Sequence, residues 1–218
     1  MKDDYNPSRK RIDGAAAACF PAALVLVFLF AWLARAVAAG DTLGFDTTVR
    51  EAIHAHAWAP LTGFLRGVTW GGSVAVLVPA GALLLYRWLR GGRRRAALLF
   101  FVIMAGAVLL DITLKDVFRR PRPQAFFGLT APHTWSFPSG HALEGLCFYG
   151  TVAALARRRR PAVWAGAAAL AGLVGFSRVY LGVHYPTDVL AGYAVGGAWA
   201  LTVRAAAGWR RAAARVLP

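Results

Sequence analysis

Phe137-Pro138-Ser139-Gly140-His141 stands where a polar, proline-rich connection gives way to an apolar helical run. A Ser-Gly pair at a helix start leaves backbone N–H groups pointing out of the helix end, where the dipole favours an anion and phosphate binds well. His141 follows in the first turn, placed to pass a proton to or from such an anion. Two other segments look built to meet this one, Lys115 to Pro123 and Ser177 to Asp188. Together the three read as one phosphoryl-transfer site on the rim of a helical membrane bundle.

The rest of the chain agrees with a bundle. Of 218 residues, 58% are hydrophobic and 16% charged, and mean hydropathy is +0.49; a soluble domain of this length carries fewer apolar and more charged residues. The apolar runs are long enough to cross a bilayer. The expected fold is therefore all-α, one polytopic membrane domain. Spans are predicted at about Ala15–Ala39, Gly72–Leu89, Ala96–Leu114, Gly140–Ala156, Pro161–Tyr180 and Pro186–Ala206. The six-helix domain covers residues 15–206, between a polar tail at 1–14 and a basic tail at 207–218. A signal peptide competes for the first span: a basic start, the run Ala22–Ala34, then Ala36-Val37-Ala38 as a cleavage-like site. In the first outer connection, residues 40–70, Leu43, Val49, Ile53 and Leu61 with Asp46, Arg50 and Glu51 predict a short amphipathic helix at the interface.

The net charge of +15 raises nucleic acid as a partner, but its distribution argues against one. Most Lys and Arg fall in four clusters: the N-terminal tail, Arg87 to Arg95, Arg157 to Arg160, and the chain from Arg204 onward. All four lie on one side of a six-span layout, which puts both termini in the cytoplasm. The other side is basic mainly where the anion would sit. Alanine and arginine richness points to a GC-rich genome and a bacterium, hence an inner-membrane, multi-pass protein whose site faces the periplasm or cell exterior. Cys19 and Cys147 lie in apolar runs and read as buried thiols. His54-x-His56 reads as solvated or interfacial, since two histidines alone make a poor metal site. Gly172 and the Gly192-x-x-x-Gly196 pair read as close helix contacts inside the bundle, with a dimer contact as the alternative. Trp58, Trp70, Trp88, Trp135, Trp164 and Trp209, near span ends, read as an aromatic belt.

Each special segment carries usable chemistry. Lys115 supplies a compact charge and Arg122 a planar fork, held where Pro121 and Pro123 fix the backbone. Ser139 reads either as a helix N-cap or as a phosphate ligand. Glu144 shares a helix face with His141, and Asp111, inside the third span, is spaced for an i,i+4 ion pair with Lys115. Both carboxylates are candidates for tuning the site. Pro186 opens the last helix and puts Asp188 in its first turn, near His184. A carboxylate there can accept one imidazole N–H and leave the other nitrogen as nucleophile.

Lys115-x6-Arg122-Pro123, Pro138-Ser139-Gly140-His141 and Ser177-Arg178-x5-His184-x3-Asp188 resemble the three signature motifs of the type 2 phosphatidic acid phosphatase superfamily. Arg120-Pro121 repeats the Arg-Pro pair two residues early, and the family spacing selects Arg122 with Arg120 in reserve. The resemblance implies that His184 attacks phosphorus, Asp188 orients His184, and His141 protonates the leaving oxygen and then activates water. Lys115, Arg122, Arg178, Ser139 and the Gly140 N–H would hold the phosphoryl oxygens. Three fixed cations would supply the charge that Mg²⁺ supplies elsewhere, so no metal or other cofactor is expected. The implied substrate is a lipid phosphate in the bilayer: phosphatidate, phosphatidylglycerol phosphate or undecaprenyl diphosphate. Transfer of the phosphoryl group to another acceptor, and a non-catalytic lipid transporter, are the competing readings. The sequence leaves the oligomeric state open.

Overall fold

The structure is a computed structural model that describes residues 7–130, 132–156 and 161–213. The described residues are helical and contain no strand. In chain order they form α1 (Pro7–Ala39), α2 (Leu43–Ala55), α3 (Ala59–Val68), a 3₁₀ turn (Thr69–Gly72), α4 (Val74–Arg90), α5 (Arg94–Phe118), α6 (Gly140–Leu155), α7 (Pro161–Tyr180) and α8 (Pro186–Ala213). Met1 to Asn6, Arg157 to Arg160 and the end of the basic tail lie outside the described residues.

Among the described residues, four segments are long and apolar enough to cross a membrane: Cys19–Ala39, Arg94–Phe118, Pro161–Tyr180 and Pro186–Gly208. A fifth arises if Ala59–Gly72 and Val74–Arg90, bent by 48° at their junction, count as one span. Large apolar side chains point outward along these helices, among them Phe28 at 67% exposure, Trp32 at 64% and Leu109 at 65%. A water-facing surface this apolar would drive association, whereas acyl chains solvate it. The protein is accordingly membrane-embedded.

α6 is the centre. It is only 16 residues long, about 24 Å, and packs against α4, α5, α7, α8 and the 3₁₀ turn. Leu143 and Cys147 on this helix meet Ile103 and Ala107 of α5. α1 packs along α8, joined to the site by Leu33, Ala34, Phe137 and Ala191. The Gly192/Gly196 pair works inside the bundle. A Cβ on Gly192 would fall 2.6 Å from the Ser139 carbonyl, and one on Gly196 would fall 2.9 Å from that of Leu143. Gly172 departs from the expectation, since open space surrounds it.

Other details also differ from the sequence reading. The first outer connection folds into two α-helices and a 3₁₀ turn rather than one short helix. In α2 the charged residues Asp46 and Arg50 are the buried ones, while Leu43 and Phe45 are exposed. Hydrogen bonds to the protein hold these two charges in place, while Ile53 packs on the core. Trp88 leaves the aromatic belt for the core, 5.4 Å from the Phe100 ring, whereas Trp58, Trp70, Trp135 and Trp164 are exposed. The His54 ring stacks on Phe126 at 3.9 Å and His56 Nδ1 pairs with the Ala52 carbonyl, so the two imidazoles serve different contacts.

Candidate active site

The last turn of α5, the first turn of α6, the end of α7 and the start of α8 meet at one end of the bundle. The α7–α8 turn is tight. Leu181 N–H donates to the Ser177 carbonyl, and Val183 and His184 N–H both reach back to Arg178. Gly182 makes this possible: its φ is +75°, and a Cβ there would lie 2.7 Å from Phe126 N. Pro186 opens α8. Asp188, two residues on, reaches back so that Oδ2 accepts the Tyr185 N–H at 2.9 Å. The same Oδ2 lies 3.3 Å from His184 Nδ1 and accepts the Ser136 hydroxyl.

Arg122 Nη1 donates to His184 Nε2 at 2.8 Å. A guanidinium has no lone pair to offer, so Nε2 is the accepting nitrogen and the ring proton sits on Nδ1, facing Asp188. His184 is 1% exposed. Burial first, then the Arg122, Arg178 and Lys115 charges, push its pKa well below the ordinary value. The imidazole thus directs its Nε2 lone pair away from the carboxylate and onto Arg122.

Arg122 is fixed by its own loop and by the α7–α8 turn. Nε donates to the Thr134 carbonyl at 2.7 Å, Nη2 to the Thr134 hydroxyl at 3.0 Å, and Nη1 also to the Val183 carbonyl at 2.8 Å. Arg120, the reserve candidate, faces elsewhere: Nη1 lies 2.6 Å from Asp188 Oδ1 and Nη2 lies 2.7 Å from Asp46 Oδ2. Geometry thus separates the two Arg-Pro arginines.

Lys115, in the last turn of α5, pairs with Asp111 at 2.7 Å. The same carboxylate packs on Gly140, where a Cβ would fall 2.7 Å from Asp111 Oδ1. Arg178 is buried; Nη1 donates to the Thr69 hydroxyl at 2.7 Å and Nε has no partner in the protein. Ser139 sits at the N-cap position of α6 but makes no cap hydrogen bond. It is 0% exposed, and its hydroxyl too is without a protein partner. His141 lies within electrostatic reach of Arg178, His184, Lys115 and Arg122, beneath the 3₁₀ turn, where a Cβ on Gly72 would fall 3.0 Å from its ring. Glu144 is buried one turn below His141, within electrostatic reach of Asp111 and Lys115. The predicted site residues therefore all collect at this end. The arrangement gathers several basic side chains around two buried donors without a protein partner, Ser139 Oγ and Arg178 Nε, a set whose chemistry suits an anion.

Sequence reasoning missed Ser136, Thr187 and Thr69, and it read Asp46 as a surface charge. Ser136 and Thr187 adjoin the recognised motifs, and that adjacency was the one available signal. Asp46 and Thr69 come from the first outer connection, and nothing local marks them.

Fold and site together define a class: a membrane-embedded helical bundle with two histidines and a cluster of basic side chains gathered at one end. A model of the PAP2 superfamily matches residues 96–212. A phosphatidylglycerophosphatase B from Bacillus subtilis (strain 168) is 32% identical over 188 residues, covering 81% of this chain and 89% of the relative. An undecaprenyl-diphosphatase from Sulfolobus acidocaldarius is 31% identical over 179 residues, covering 79% and 84%. The crystal structure of a transmembrane PAP2-type phosphatidylglycerolphosphate phosphatase from Bacillus subtilis superposes with a TM-score of 0.78 at 28% identity, covering 87% of this chain and 96% of that one. The chain belongs to the PAP2 superfamily and shares the phosphatase class of these relatives.

Proposed function

We propose that the protein hydrolyses the phosphate of a membrane lipid through a phosphohistidine on His184. The observation that carries this reading is the polarity of that imidazole. Nδ1 faces Asp188 and Nε2 accepts from Arg122, so the nucleophilic nitrogen lies beside the cation that would hold the phosphoryl group. In the first step Nε2 bonds to phosphorus as the bond to the lipid oxygen breaks, and protonated His141 gives its proton to that oxygen. In the second, neutral His141 takes a proton from water as the oxygen attacks phosphorus. The N–P bond breaks and inorganic phosphate leaves. Lys115, Arg122, Arg178, Ser139 Oγ and the Gly140 N–H stabilise the equatorial oxygens in both steps.

Site position supports an outward-facing enzyme with six spans, α6 being the short central one. Arg93 at the start of α5 donates to the Leu155 carbonyl at the far end of α6, so the arginine cluster from Arg87 to Arg95 lies opposite the site. Basic loops favour the cytoplasm, which puts the cradle at the periplasmic or exterior surface of a bacterial inner membrane, in reach of headgroups. The relatives' names support phosphatidylglycerol phosphate and undecaprenyl diphosphate as first candidates, with phosphatidate as a third. The test is phosphate release by the purified protein in detergent across these lipids, with chelator present and a His184→Ala variant alongside. Release that His184→Ala abolishes is expected. Release that persists in the variant, or release restored by a divalent ion after chelation, would refute the mechanism.

A further inference from the structure

Behind Asp188 lies a second shell of charge that the three motifs do not include. Asp46 of α2 is 0% exposed. A buried carboxylate survives only with partners, and Asp46 has three: Oδ1 accepts the Thr187 N–H at 3.0 Å, and Oδ2 accepts the Thr187 hydroxyl and Arg120 Nη2, each at 2.7 Å. Arg120 then reaches Asp188 Oδ1 with Nη1 at 2.6 Å and the Thr187 hydroxyl at 2.9 Å. The Tyr185 ring lies 4.1 Å beneath its guanidinium, and Thr42 Oγ1 is 3.3 Å from Nη2. One arginine is thus clamped between two buried carboxylates and stacked on an aromatic face.

The consequence for Asp188 is a division of labour between its oxygens. Arg120 occupies Oδ1, which stops the carboxylate rotating about its terminal bond. Oδ2 is left to Ser136, the Tyr185 N–H and His184 Nδ1. Without Arg120 nothing charged would hold Oδ1, and the carboxylate could turn away from the imidazole. Without Asp46 the guanidinium would lose one of its two anionic anchors and the hold on Oδ1 would loosen. We propose that Asp46 and Arg120 are positioning residues that fix the carboxylate of Asp188 toward His184, making α2 part of the catalytic apparatus. The proposal rests on the hydrolytic reading above.

The experiment measures kcat and KM separately for purified wild type, Arg120→Gln, Arg120→Lys, Asp46→Asn and the Arg120→Gln/Asp46→Asn double variant, with dioctanoyl phosphatidate and farnesyl diphosphate as probes. Loss of one buried charge-assisted contact corresponds to about a ten- to hundredfold change. Arg120→Gln should lower kcat by about that factor with KM within about threefold, since the Arg120 guanidinium is committed to Asp46, Asp188 and Thr187. Arg120→Lys should recover part of the loss. Asp46→Asn should lower kcat about tenfold alone, yet less than about twofold on the Arg120→Gln background, because Asp46 acts through Arg120. Variants that lose thermal stability but keep the wild-type kcat per folded molecule would overturn the proposal, as would additive losses or a change confined to KM. If Arg120→Gln does not fold, Arg120→Lys and Asp46→Asn carry the comparison, and wild-type kcat in both overturns it. A wild type that releases no phosphate overturns the hydrolytic reading and this inference with it. An active wild type with unaffected variants overturns this inference alone.

Discussion

Ser139→Ala separates the two meanings of a serine at a helix start. A serine that caps its helix loses about 0.5–2 kcal/mol on replacement by alanine. Ser139 makes no such cap bond, and its fully buried hydroxyl has no partner in the protein. Alanine forfeits no hydrogen bond within the protein, so thermal stability in detergent should hold. Catalysis should fall. Removing one donor from an oxyanion cradle costs about 2.7–4 kcal/mol in the transition state, or about 10²- to 10³-fold in rate. Differential scanning fluorimetry and phosphate-release kinetics on the same preparation give both numbers. A variant destabilised by a cap's worth of energy, with kcat/KM per folded molecule near wild type, would make Ser139 a cap and refute the cradle.

Gly192→Ala puts a methyl 2.6 Å from the Ser139 carbonyl and 3.1 Å from Ala142 Cβ, so it should cost about 1–3 kcal/mol by overpacking; a melting temperature equal to wild type would contradict the close α6–α8 contact. Asp111→Asn keeps the shape but weakens the 2.7 Å ion pair with Lys115, and should lower kcat/KM about tenfold through a misplaced Lys115; full activity would show that Lys115 needs no such anchor. His184, whose folded pKa is depressed below 6.5, contributes stability that is fully present above pH of about 6.5 and is lost as pH falls toward the folded value, by up to about 1.4 kcal/mol per pH unit. His184→Gln should therefore lose less stability than wild type between pH 7.5 and 5.5, and equal losses in the two proteins would mean that His184 does not titrate below the ordinary value.

Much of this protein is written locally in its chain. Apolar runs of span length must become helices in lipid, because every backbone N–H and C=O there needs a partner within the segment. Pro186 opening α8 and the Ser139-Gly140 helix start are equally local, and the resemblance of the three motifs to a known family is what singled out Lys115, Arg122, His141, Arg178, His184 and Asp188 in the sequence. The His184–Asp188 pair sits four residues apart across one turn, so its closeness required no knowledge of the fold.

Tertiary structure decided what spacing does not encode. Arg120 and Arg122 look alike in sequence, and only the tertiary fold turns one toward Asp188 and the other toward His184 Nε2. Asp46 reads as a solvated charge on an amphipathic helix until α2 is docked and Thr187, far along the chain, supplies its hydrogen bonds. Thr69 meets Arg178 only because the 3₁₀ turn packs on α6 and α7. Composition and periodicity fix which segments are helical and apolar. A buried charge finds its partners across the bundle, so its identity as core or surface follows only from how the helices come together.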